Sequence, residues 1–167
     1  EAADELTRRQ LELFYDEHRG GFYFTASDHE QLIVRSKTAH DGAIPSGNSV
    51  MLMNLQRLSI LLGRKELREK AERIIQVFGG GIARSAFQHE RFLCGIEAWH
   101  EGFEEIAIIG AASDPATRDL LRAVHRGYTP NKVVAQLDPA DNETPKRVPL
   151  LAGRPQLDGK PTAYVCR

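Results

Sequence analysis

Polar residues that could do acid–base chemistry are concentrated in one short stretch of the sequence. Asp41 could act as a general acid or base if it faced a cavity, and His40 directly before it is a second candidate. Ser46, Asn48 and Ser49 follow closely and could bind a ligand beside them. The same residue types close turns and cap helices, so the sequence also allows a purely structural role for Asp41.

Aromatic side chains shortly before this stretch would complete a site for a sugar. Such a site needs one or two carboxylates or a histidine as acid and base, together with aromatic platforms. The nearby candidates are Asp28 as a further carboxylate and Phe22, Tyr23 and Phe24 as platforms. In a site of this kind, Asp41 would be the polar centre and Tyr23 would contribute to binding.

Other kinds of chemistry find little support in the spacing of residues. The six histidines show no HExxH or similar ligand spacing, so we predict no bound metal. Gly110 follows an apolar run but lacks the G-x-G-x-x-G pattern, which argues against a dinucleotide. Ser46 has no G-x-S-x-G frame and no evident base, so it is not predicted to be a nucleophile. We therefore predict no cofactor.

The composition excludes several classes of protein. The chain has 167 residues, of which 41% are hydrophobic and 27% charged, as is typical of one soluble globular domain. A net charge of -1 disfavours a nucleic-acid partner, and no apolar run approaches the ~20 residues that span a bilayer. The first residues do not resemble a signal peptide, so we predict a cytoplasmic protein in which Cys94 and Cys166 are reduced.

Hydrophobic periodicity predicts helices on either side of the polar stretch. A first helix is expected over residues 4–16, followed by two strand-like runs that form a short β-hairpin near residues 22–35. Residues 48–62 are apolar nearly all round, which indicates a helix buried on more than one side. An amphipathic helix over residues 66–78 follows after a short connection, so the two are expected to be antiparallel neighbours.

Three glycines at residues 79–81 are expected to break this last helix. A third long helix is then predicted over residues 82–100. Its inward face is expected to include Leu93, Ile96 and Trp99.

The remainder of the chain alternates strand-like and helical patterns. Asp114 followed by Pro115 is a strong helix start between apolar runs. Three such runs are typical of strands: residues 105–110, 133–135 and 161–166. We therefore predict a mainly α protein, with a helical part over residues 1–103 and a small β-α-β-β appendage packed on the helices over residues 104–167.

Several stretches, taken in order, also carry a family signature. The longest is DGAIPSGNS at residues 41–49. The others are LIVRSK at residues 32–37, EIAIIG at 105–110, DPAT at 114–117, YTPN at 128–131 and PTAYVC at 161–166. Together they resemble the C-terminal part of the YyaL / spermatogenesis-associated protein 20 family, and the likeness extends over the chain from about Gly20 onward.

The resemblance implies a fold and a partner. Family members join an N-terminal thioredoxin-like domain to an (α/α)6 toroid similar to that of N-acylglucosamine 2-epimerases and glycosidases. This chain would be the last part of the toroid with its appendage, without the thioredoxin-like domain. Because the chain begins at Glu1 rather than Met, we also expect it to be part of a longer protein. A partial toroid exposes unpaired helix faces, so self-association is expected as well.

The resemblance leaves two functions open, because the family has no established activity. The first is carbohydrate binding, or a reaction like that of a sugar epimerase or a glycosidase, with Asp41 at its centre. The second is a non-catalytic structural or interaction module that serves the thioredoxin-like domain. A concave, aromatic-lined pocket in front of Asp41 would favour the first, whereas a carboxylate that only closes its own turn would remove its main support.

Overall fold

The computed structural model describes residues 1–30 and 33–167 of the chain. Roughly half of the residues lie in helices, and the described strands form one three-stranded sheet. The expected mainly α protein with a small α/β element is confirmed at this level. The described chain forms two compact units, one made of Glu1–Leu58 and Lys65–His100 and the other of Ser59–Arg64 and Glu101–Arg167.

Four helices supply most of the first unit. They are α1 (Ala2–Phe14), α2 (Gly47–Leu62), α3 (Lys65–Ile82) and α4 (Glu90–Glu101), and a short 3-10 turn (Ala86–Gln88) precedes α4. The apolar sequence of α2 is buried on several sides, as its pattern predicts, since Leu52, Met53 and Leu55 are all inaccessible to solvent.

Helices α2 and α4 approach closely at Gly95. A Cβ atom at this position would lie 2.6 Å from Cδ2 of Leu52, so only glycine fits without displacing that side chain. The side chain of Gln56 joins the same two helices, because its Nε2 donates to the carbonyl of Gly95 at 3.0 Å and to that of Leu52 at 3.1 Å. The buried amide thus adds directional hydrogen bonds to the otherwise apolar contact between the two helices.

The inward face of α4 differs from the expected one. Phe92, Gly95 and Ala98 are buried, whereas Leu93 is 37% exposed. The prediction of that face assumed an unbroken helix over residues 82–100. The chain instead leaves the helix after Ile82 and starts a new one at Glu90, and this interruption resets the helical phase.

The three glycines at residues 79–81 do not break α3, which runs through them to Ile82. Each glycine costs a helix about 1 kcal/mol relative to alanine. Burial of the Ile82 side chain and the hydrogen bond from the Ala83 N–H to the Gly79 carbonyl (3.1 Å) hold the last turn in place. Tertiary packing therefore outweighs the local preference of the glycines.

The described part of the expected hairpin contains no strand. Tyr15 and Phe22 form one isolated antiparallel bridge, and the Phe24 N–H donates to the Ser36 carbonyl at 2.9 Å. The second strand-like run includes Gln31 and Leu32, which lie outside the described residues.

The second unit contains the sheet. Its elements are β1 (Glu104–Ile109), α5 (Pro115–Arg126), β2 (Lys132–Leu137), α6 (Thr144–Arg147), a 3-10 turn (Pro149–Leu151) and β3 (Thr162–Cys166). The strand order is β2-β1-β3, with β2 parallel and β3 antiparallel to the central strand. Asp114 caps α5 as its sequence predicts, because its Oδ1 accepts from the Ala116 N–H at 2.8 Å.

Two further predictions can be compared with the described structure: that the two cysteines are reduced, and that no segment spans a membrane. Cys94 and Cys166 are both free and exposed. Among the described helices, none combines the length and the apolar character needed to cross a bilayer.

Two helical glycines provide a matched test of this packing. We expect Gly80→Ala to raise the free energy of unfolding by about 0.5–1 kcal/mol, because the new Cβ meets no atom within 4 Å and alanine favours the helix. Gly95→Ala should lower it by about 1–3 kcal/mol, because its Cβ would overlap Leu52. Urea unfolding of both variants measures the difference, and equal changes would contradict the assigned helix contacts.

Candidate functional site

Asp41 is buried, with 8% of its surface exposed, and its carboxylate joins two segments of backbone. Its Oδ1 accepts from the Ser46 N–H at 2.8 Å, and its Oδ2 accepts from the Phe92 N–H at 3.0 Å. The Asp41 N–H in turn donates to the Gln88 carbonyl at 2.8 Å. The side chain therefore closes its own loop and also caps the first turn of α4.

The pKa of Asp41 lies below its ordinary value. Burial by itself raises the pKa of this carboxyl, but hydrogen bonds from the Ser46 N–H, the Ser49 side chain and the backbone N–H groups of Phe92 and Arg91 outweigh it. These donors favour the ionised form. A carboxylate stabilised in this way is a poor proton carrier at neutral pH, since a general acid or base works best with a pKa near the working pH.

Ser46 and Ser49 cap the start of α2. The Ser46 Oγ accepts from the Ser49 N–H at 3.1 Å, and the two hydroxyl oxygens lie 2.7 Å apart. The Ser49 hydroxyl also donates to the Ala39 carbonyl at 3.4 Å. Both side chains are buried, so their hydrogen bonds serve the loop and the helix.

Asn48 connects the beginning of α2 to two other backbone segments. Its Oδ1 accepts from the Phe22 N–H at 2.7 Å, and its Nδ2 donates to the Phe22 carbonyl at 2.9 Å and to the Thr38 carbonyl at 2.8 Å. The amide thus pairs with Phe22 as a neighbouring strand would. Both of its N–H groups are engaged, and Oδ1 keeps a second lone pair.

Tyr23 belongs to a polar cluster centred on Asp16. The hydroxyl of Tyr23 donates to Oδ2 of Asp16 at 2.7 Å, and the ammonium of Lys37 donates to the same oxygen at 2.8 Å. The guanidinium of Arg35 lies 4.1 Å from the centre of the Tyr23 ring. This cation–π contact and the shared carboxylate fix the orientation of the ring.

Asp16 is the most perturbed carboxylate in this region. The Lys37 ammonium, together with the Arg19 N–H and the Tyr23 hydroxyl, holds the pKa of Asp16 far below its ordinary value. The same hydrogen bond raises the pKa of Tyr23. The loop that brings these groups together turns at Gly20 and Gly21, whose φ angles of +78° and +75° favour glycine.

His40 is exposed and belongs to the rim of the loop. Its N–H donates to the hydroxyl oxygen of Thr38 at 3.0 Å, and its ring centre lies 6.1 Å from that of His89. Among the described residues, no three metal-ligating side chains are grouped so that they could hold an ion.

A cavity with aromatic walls lies between α1, the start of α2 and the segment that Asn48 holds. We call it the aromatic chamber, and its volume is about 260 Å³. Its lining residues are Gln10, Phe14, Phe22, Tyr23, Phe24, Thr38, Gly47, Asn48 and Met51. Asn48 and the three predicted platforms Phe22, Tyr23 and Phe24 therefore line it. The other predicted site residues do not: Asp28, His40, Asp41, Ser46 and Ser49.

Sequence reasoning missed the contribution of α1 and of Asp16. Phe14 and Gln10 line the chamber from α1, for which the sequence predicted a helix but no contribution to a site. Asp16 was predicted to be the last residue of this helix, which instead ends at Phe14, although the glycine pair at residues 20–21 signals a tight turn. Only the fold shows that the turn returns Tyr23 to the Asp16 carboxylate.

Three curated proteins are similar in sequence to nearly the whole chain. No protein-family model matches it. Human (Homo sapiens) spermatogenesis-associated protein 20 is 31% identical over 169 aligned residues, which cover 99% of this chain and 21% of the human protein. The mouse (Mus musculus) protein of the same name is 30% identical over 168 residues, again 99% of this chain and 21% of the relative.

The rat (Rattus norvegicus) protein of that name is similar to the same extent. It is 31% identical over 159 residues, which cover 93% of this chain and 20% of the relative. The chain therefore spans about a fifth of the length of the curated relatives that it matches. These alignments confirm the resemblance indicated by the motifs.

The structural role of Asp41 can be tested with Asp41→Asn. Asparagine offers one acceptor oxygen and places an N–H₂ group against a backbone N–H, so we expect the free energy of unfolding to fall by about 2–3 kcal/mol. Urea unfolding gives this value. Asp28→Asn is the control, because Asp28 is exposed and its change should stay within about 0.5 kcal/mol. If Asp41→Asn left the free energy of unfolding unchanged, the structural role of Asp41 would be contradicted.

Asp16 should contribute to stability in a particular pH range. Its folded pKa is lowered, so its contribution is complete above the unfolded pKa of about 3.9 and is lost as the pH falls through the folded pKa. We expect the wild-type protein to lose stability between about pH 4 and pH 2, and Asp16→Asn to lose distinctly less. The midpoints of urea unfolding, measured for both proteins across this pH range, test the prediction. If the midpoints of the two proteins fell in parallel, the contribution of the Asp16 cluster to stability would be contradicted.

Proposed function

We propose that this chain, which belongs to the spermatogenesis-associated protein 20 family, binds a sugar-sized ligand in its aromatic chamber and contributes no acid–base pair there. The observation that carries the proposal is the chamber itself. Its volume of about 260 Å³ lies just below the range for small-ligand sites, which begins at ~300 Å³.

The chamber combines the surfaces that a sugar ring needs. The rings of Phe14 and Phe24 offer flat apolar faces for the C–H groups of a sugar, beside Tyr23, whose ring is held by Arg35 and Lys37. The free lone pair of Asn48 and the side chains of Thr38 and Gln10 offer polar atoms for its hydroxyl groups. A few polar groups among aromatic walls are the usual composition of a site for a small, uncharged ligand.

The contacts of Asp41 favour binding over turnover. A reaction like that of a sugar epimerase or a glycosidase would need a carboxylate or a histidine at the chamber. Neither type occurs among the described residues that line it. Asp41 instead accepts hydrogen bonds from Ser46 and Phe92, so its carboxylate is already committed to the loop and to α4.

The alternative is a non-catalytic structural module that serves a thioredoxin-like domain elsewhere in a longer, cytoplasmic protein. The burial of Asp41, Ser46 and Ser49 favours it, because these polar groups stabilise loops. In either case we propose that residues 1–103 are part of an (α/α)6 toroid and residues 104–167 its appendage. The all-round burial of α2 beside the single apolar face of α3 supports a layered helical arrangement.

The toroid proposal carries the further expectation of self-association through unpaired helix faces. Sedimentation of the full chain at increasing concentration tests it. A constant monomer mass would count against it.

Maltose is a suitable first probe of the chamber. We expect calorimetry to show binding to the full chain, and Phe24→Ala to weaken it about three- to tenfold through loss of one stacking surface. Phe24 is 78% exposed, so its removal should leave the fold intact. Phe87→Ala is the matched control, since Phe87 is 91% exposed and lies outside the chamber. Equal effects of the two variants, or no binding at all, would contradict the proposed function.

A further inference from the structure

The lining of the aromatic chamber changes from buried to exposed residues along its depth. We call its buried part the floor, which is formed by Phe22, Asn48 and Met51. Phe14 and Tyr23 are half-buried. We call the exposed part the rim, which is formed by Gln10, Phe24, Thr38 and Gly47. A ligand that reaches the floor therefore passes the rim.

The volume of the chamber limits how much of a ligand it can enclose. It is about 260 Å³, whereas sites that enclose most of a drug-sized ligand begin at ~300 Å³. The floor therefore suits a single sugar ring. Any further ring of the same ligand would lie outside the enclosed space, against the residues of the rim.

Gly47 leaves part of the rim without a side chain. A Cβ atom at this position would meet no other part of the described chain within 4 Å, so packing within the protein does not require glycine. The backbone does not require it either, because its φ angle lies outside the left-handed region. Alanine would favour the helix more. Close approach of a ligand to the backbone is another use of glycine, and Gly47 lines the cavity in which a ligand would lie.

Phe24 gives the rim a flat apolar surface. Its ring lines the chamber and yet remains largely exposed to water. An apolar face of a ligand that covered this ring would gain from the burial of both surfaces. On α2, Gly47 lies one turn before Met51, so the side of the helix that lines the chamber changes from bare backbone at the rim to a buried side chain at the floor.

We infer that the chamber binds the end of a linear oligosaccharide, whose terminal ring occupies the floor and whose second ring stacks on Phe24 and passes over the backbone of Gly47. This inference rests on the proposed function and specifies the class of its ligand. It also makes Gly47 the residue that determines how far a bound sugar chain extends. A side chain at this position would enter open space in the chamber that the second ring needs.

Glucose and maltose separate the floor from the rim, because maltose has one ring more. We expect calorimetry to show that the full chain binds maltose about three- to tenfold more tightly than glucose, as one further stacked ring allows. Gly47→Val should reduce this advantage to less than about twofold, because its side chain takes the place of the second ring. Phe24→Ala should reduce it in the same way, because it removes the stacking surface.

Gly42→Val is the matched control for Gly47→Val. Gly42 is also exposed, and a Cβ atom there also meets no atom within 4 Å, but it does not line the chamber. We expect this variant to keep the full advantage of maltose. Thermal unfolding shows whether both variants fold. If Gly47→Val does not, Gly47→Ala takes its place, since alanine favours the helix, and should reduce the advantage by a smaller factor.

The failures of the two proposals differ in this experiment. Equal affinities for glucose and maltose would overturn the inference and leave the proposed function standing. Absence of binding by both sugars would overturn both. A maltose advantage that persists in the folded Gly47 variant and in Phe24→Ala would place the second ring elsewhere and would also overturn the inference. An equal loss of the advantage in Gly42→Val would do the same.

Discussion

The hydrogen bonds of the Asn48 side chain are the constraint on which the aromatic chamber depends. This amide is 3% exposed and binds the backbone of Phe22 through both of its ends, while its second N–H donates to Thr38. Residues 22 and 38 carry two walls of the chamber, and α2 carries a third. A buried amide without these partners would be costly, so the amide and the segment it holds stabilise each other.

Asp41 likewise holds separate backbone segments together, at the other end of the loop. Its two carboxylate oxygens accept from Ser46 and Phe92, which joins the start of α2 to the start of α4. Helix starts have unpaired N–H groups and carry a partial positive charge, so a buried carboxylate there is both satisfied and ionised. The residue that looked most suited to catalysis is therefore used to assemble the frame around the chamber.

The family signature and the chamber are consequently linked through packing. The DGAIPSGNS stretch contains Asp41, Ser46, Asn48 and Ser49, and each of these side chains holds backbone in place. The aromatic walls of the chamber come from other parts of the chain, namely Phe14, Tyr23 and Phe24. A loop can thus carry the family signature through the geometry it enforces, while other residues line the cavity beside it.

The sequence by itself determined the approximate positions of α2, α5 and the three strands of the second unit, the family resemblance and the cap of α5. Periodicity predicted α2, and a single pair of residues, Asp114 and Pro115, predicted the start of α5, because such signals act over a few residues. The tertiary structure alone decided that Asp41 meets Phe92, 51 residues away, and that Asn48 meets Phe22, 26 residues away. It also carried α3 through its glycines and shifted the inward face of α4. These outcomes depend on contacts between distant segments, whose energies exceed local preferences and leave no periodic trace in the sequence.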